Sequence, residues 1–150
     1  MDYKKIATAN FFWIQTPTLY TTATYKCGNQ LDCAKGTRVF FGFSAKQLDI
    51  LPPHTKLGSV PMRYLEKPIC ERNLWWAHNS MDKIYLPITE SYGPRSYDDC
   101  TLLFEKTKNF FMISICSAID ASSLRSKSQK QSLLYSMNQG REFGFICDVD

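Results

Sequence analysis

No stretch of this chain approaches the ~18 consecutive apolar residues that a membrane-spanning helix needs. The run after Lys4-Lys5, from Ile6 to Ile14, is interrupted by Thr8, Ala9 and Asn10. No small-x-small cleavage signature follows closely, so it makes a poor secretory signal. A soluble cytoplasmic protein with no membrane contact is the expectation. Glycine signatures are missing as well: there is no Gly-x-Ser-x-Gly elbow, phosphate-binding loop or dinucleotide fingerprint among the 7 glycines. No cofactor is therefore expected. The 6 cysteines are scattered, and the nearest pair, Cys27 and Cys33, is separated by five residues, which is wrong for a zinc half-site. No metal is expected either. A Cys27–Cys33 bridge would need an oxidising compartment that nothing else in the sequence indicates.

Charge of one sign is also lacking. The net charge is +4, yet acids and bases interleave, as in Glu66-Lys67, Glu71-Arg72 and Asp82-Lys83. A dedicated nucleic-acid binder concentrates its cations on one stripe, so charge argues against that class without excluding it. The one local exception is Arg125, Lys127 and Lys130, a basic patch in a segment with no acid between Asp120 and Glu142. It could run along phosphates, but such runs are more often one solvated helix face.

What the chain has in quantity is aromatic side chains: 10 Phe, 8 Tyr and 3 Trp in 150 residues. Four times they stand side by side, at Phe11-Phe12-Trp13, Phe40-Phe41, Trp75-Trp76 and Phe110-Phe111. Neighbouring side chains of a strand point to opposite faces, so each doublet asks for apolar cover on both sides. The second cover is a further layer, a second subunit or a binding partner.

The patterning predicts strands over 10–14, 18–25 and 38–43, the last with Val39, Phe41 and Phe43 on one face. Ser44 and Gln47 form a capping box for a short helix that stops at Pro52-Pro53. Residues 54–67 read as loop with one short strand near 61–65. Pro68, Ile69, Asn73 and Trp76 predict a helix over 68–78, and 83–88 a strand that Pro87 pushes to a sheet edge. After a loop over 89–95, Tyr97, Cys100 and Phe104 predict a helix over 97–107 capped by Ser96. A strand at 110–116, a helix at 121–139 ending at Gly140, and an alternating strand from Phe143 to Val149 complete the chain. The whole reads as α+β: a single domain over 1–150, a mostly antiparallel sheet with helices packed on one face.

Chemistry-bearing residues are few. His54 and His78, with Lys56 or Arg95 on the phosphate, would be enough for metal-free phosphodiester cleavage. Asp98-Asp99 with Glu105 and Lys106 or Lys108 would be a metal-nuclease set, but an Asp pair at a helix start is ordinary capping. Cys70 at a helix start has no base within reach. Trp75, Trp76, Tyr92, Arg95 and Tyr97 are of the residue types enriched where proteins bind one another.

The balance favours a small binding protein over an enzyme: an inhibitor or immunity-type protein that neutralises a toxin or effector by direct contact. Its mild positive charge would suit a partner with an acidic or neutral face. The alternative is a small metal-independent nuclease, ribonuclease-like, using the His pair. A homodimer burying the surplus aromatics is compatible with either.

Overall fold

A computed structural model describes residues 1–19, 28–45, 51–52, 54–77 and 80–148. Its strands are β1 (Phe11–Gln15), β2 (Gln30–Cys33), β3 (Thr55–Tyr64), β4 (Cys70–Trp76), β5 (Asp82–Tyr85), β6 (Thr101–Lys106), β7 (Phe111–Ile115), β8 (Leu134–Ser136) and β9 (Glu142–Ile146). They form one curled mixed sheet in the order β2-β5-β4-β3-β7-β6-β1-β9-β8. Neighbours run antiparallel except β3 and β7, which are parallel. Among the described residues three short helices accompany it: α1 (Tyr3–Thr8), α2 (Thr89–Tyr92) and α3 (Ala118–Lys130).

The inner face carries the core. Phe12 of β1 stacks between Phe104 of β6 and Phe145 of β9, with ring centroids 5.3 and 5.0 Å away. Phe40 and Phe41 close over these rings from a compact 3-10 turn (Thr37–Val39) and its exit. Ile6 of α1 is buried in the same cluster. The outer face is covered by α3 near β9, where the indole N–H of Trp13 donates to the Ser128 hydroxyl at 2.7 Å. Helical structure therefore lies against both faces, where the sequence predicted one.

Several predicted elements are corrected. Residues 38–43 are not a strand, because the buried Asp82 carboxylate accepts the main-chain amides of Gly36 and Arg38 and holds the segment as a turn. The predicted helix 68–78 is the strand β4: Leu74 and Trp76 face inward and Trp75 outward, a period of two rather than 3.6. The predicted helix 97–107 is a loop followed by β6, in which Leu102 and Phe104 alternate inward. Tyr97, Cys100 and Phe104 fitted a helical spacing only because the loop places Tyr97 in the core. Helix α3 runs over 118–130 instead of 121–139; Ser117 caps it, and Leu134 to Ser136 pair with β9 as β8. The segment 54–67 holds the ten-residue strand β3, bulged between Lys56 and Gly58. Gly58 is needed there, since a Cβ would meet the Phe43 ring at 2.6 Å. β5 ends before Pro87 and lies inside the sheet, not at its edge. The predicted helix after Ser44 and the strand over 18–25 fall mostly outside the described residues.

Candidate interaction surfaces

At the start of β3 and the end of β4 the ladder sets Thr55 opposite Trp76 and Lys56 opposite Trp75. The other flank of Trp75 is Lys83 of β5. His54, immediately before β3, is exposed. Thus His54, Lys56, Trp75 and Trp76 are brought to one corner, while His78 lies outside the described residues.

Trp76 does not share that surface. It is 6% exposed, and the Arg38 guanidinium lies over its ring at 5.0 Å. Arg38 itself is buried and donates through Nε to Asp82 at 3.1 Å, with Nη2 2.9 Å from the same oxygen. Burial pushes the Asp82 carboxyl up, and the Arg38 amide and guanidinium pull against that. This arrangement is a structural pin between the turn and β5, with no solvent access for a substrate.

Tyr92 and Arg95 are exposed at the opposite end of the sheet. Tyr97 is fully buried there, its hydroxyl donating to the Pro87 carbonyl at 2.5 Å. The Lys67 ammonium, in the β3–β4 turn, donates to the carbonyls of Glu90 and Gly93 and so ties that turn to α2. Leu65 N–H donates to the Ile113 carbonyl, which places the turn beside the end of β7. As a result Leu65, Ile69, Tyr92, Ile115 and Ile119 come to the same end of the sheet. These are five of the six exposed large hydrophobic residues among those described, the other being Met1. Ile119 is 82% exposed. The exposed charges around them are mostly acidic: Glu66, Glu71, Glu90 and Asp120 against Arg95. Arg63 is turned onto the carbonyls of Glu66 and Lys67.

Sequence reasoning selected Tyr92 and Arg95 but passed over Leu65, Ile69, Ile115 and Ile119. The available signal was an isolated apolar residue beside a charge, as in Leu65-Glu66 and Ile119-Asp120. The basic patch is on α3: Arg125 is clipped to Glu142 by two hydrogen bonds of 2.8 and 3.0 Å, while Lys127 and Lys130 are exposed. Asp98 and Asp99 serve the loop before β6, accepting from Leu19 N–H and the Thr18 hydroxyl. Cys70 opens a strand, and burial raises its thiol. Among the described residues no cluster of His, Cys, Asp or Glu could hold a metal ion, and no helix is long and apolar enough to cross a membrane. No protein-family model matches the chain, and no curated protein matches it.

Proposed function

We propose that this is a protein-binding protein, of the inhibitor or immunity type, that masks its partner by contact through the apolar end of the sheet. The placement of exposed Leu65, Ile69, Tyr92, Ile115 and Ile119 at one end of the sheet supports the reading, since exposed apolar surface concentrated in one region marks interaction sites. Arg95 and Tyr92 supply anchors of the kind that dominate binding energy. The acidic tips around them favour a partner whose contact surface is apolar with a basic rim.

The test is capture from native lysate by the tagged chain, with and without nuclease. A nuclease-resistant protein in one-to-one amount is expected, lost when Leu65→Asp and Ile69→Asp are combined. A chain recovered alone, or a captured protein indifferent to that variant, would sink the proposal. A nuclease is the second reading, favoured by the exposed His54 preceding β3 and by Lys56 opposite Trp75. It requires that His54→Ala and His78→Ala each abolish cleavage of RNA in metal-free buffer.

A further inference from the structure

We propose that the solvent-facing side of the β3–β4–β5 corner is a platform for single-stranded nucleic acid, with Trp75 stacking on a base and Lys56 and Lys83 holding phosphates. Trp75 lies directly opposite Lys56 on one side and Lys83 on the other. Opposed residues of antiparallel strands share a face, with Cβ atoms ~4.5–5.5 Å apart. The indole therefore stands between two ammonium-bearing stems. Its outward direction is fixed because Trp76, one residue on, is held inward beneath Arg38.

The ring is only half-buried, and α3 packs on β8 and β9, away from this corner. Tyr85, two residues beyond Lys83 on the same face of β5, offers a second half-buried ring diagonal to the first. Among the described residues Lys83 is ion-paired with its cross-strand neighbour Asp32 at 3.8 Å and donates to the Gln30 side-chain oxygen at 3.5 Å, so a phosphate there would share the ammonium with them.

The chemistry selects the ligand. A bare aromatic ring suits a sugar, a peptide or a second copy of the chain. The exposed Lys56 beside the ring, with Lys83 on its other flank, favours an anion, and planar groups alternating with anions along a flexible chain describe a single strand. A duplex hides the base faces that Trp75 would meet. The surface is distinct from the apolar end, so the two proposals stand or fall separately.

Fluorescence anisotropy of labelled oligo-dT and oligo-U of about 20 nucleotides tests it on the full chain. Micromolar binding is expected, with log affinity falling against log salt at a slope of about −1.4, from two phosphate contacts at about −0.7 each. Trp75→Ala should weaken binding by about 5- to 150-fold, while Trp75→Phe keeps most of it. Lys56→Gln should flatten the slope by about 0.7. Unchanged melting of each variant excludes misfolding. No signal at about 100 μM strand in low salt would overturn the proposal. So would equal affinity for the duplex, undiminished binding by Trp75→Ala, or equal competition by poly-glutamate. A concentration-dependent dimer abolished by Trp75→Ala would reassign the face to a second copy.

Discussion

At the scale of single residues, the most consequential contact is one that composition and periodicity do not announce: Arg38 with Asp82. Both are buried, and the carboxylate accepts two main-chain amides as well as the guanidinium. Removing one partner of a buried ion pair leaves the other charge unpaired, at a cost of ~3–5 kcal/mol. Asp82→Asn keeps an oxygen for the two amides but strips Arg38 of its counter-charge, so a loss of that order is expected in chemical denaturation. Arg38→Met alone should cost a similar amount. The double variant should cost less than the sum, because no charge remains buried. Strict additivity would mean that the two groups do not act as a pair. The aromatic doublets resolve at this scale too. Phe12 and Trp76 are buried inward, whereas Phe11, Trp75 and Phe110 stay half-buried. Phe40 and Phe41 escape the alternation altogether, since both are buried on one side of a turn.

At the scale of elements, α3 is held in an unusual way for a helix on a sheet. Only Ser128 is buried on it. That hydroxyl accepts from Trp13 and donates to the Phe145 carbonyl at 3.2 Å. Gln131 exchanges two bonds with the main chain of Cys147. The close seat requires Gly144, where a Cβ would lie 2.5 Å from the Ser128 oxygen. Ser128→Ala orphans the buried indole N–H, and a loss of about 1–3 kcal/mol is expected. Gly144→Ala should cost a similar ~1–3 kcal/mol through overpacking. Hydrogen exchange should show both losses first as opening of α3 with the sheet still protected; uniform loss across the sheet would contradict this. The Arg125–Glu142 clip adds a pH dependence. Its hydrogen bond holds the Glu142 carboxyl below its ordinary range. The stabilising contribution is thus present above the ordinary glutamate value of about 4.3 and fades as pH falls below it. Protection of α3 should weaken on acidification, and Arg125→Ala should remove that dependence.

This explains what the sequence made legible. Strands with apolar alternation or continuous apolar runs, β1, β7 and β9, stand close to where their patterns put them. Elements misread as helices, β4 and β6, are short segments in which the helical and strand patterns meet at a single buried residue, Trp76 in one and Phe104 in the other. Partner strands, absent from any local window, decide between them. The apolar end was illegible for a different reason: its five residues come from the β3–β4 turn, α2, β7 and α3, and only the topology joins them.

At the scale of the whole molecule, net charge misleads about local charge. Lys4, Lys5, Lys35, Lys56, Lys108 and Lys130 lie exposed toward the α1 end of the sheet, while the apolar end carries exposed acids. The surplus of +4 therefore says little about the face a partner meets. The same distribution bears on self-association. A two-fold dimer through the apolar end would be isologous, setting Glu66, Glu90 and Asp120 of one copy against those of the other. Like charges brought together at an interface oppose association most strongly at low salt, where screening is weakest. Sedimentation at two protein concentrations should show a monomer in low salt, with any dimer appearing only as salt rises. A dimer strongest in low salt and lost with Leu65→Asp would instead assign the apolar end to self-contact and remove it from a foreign partner.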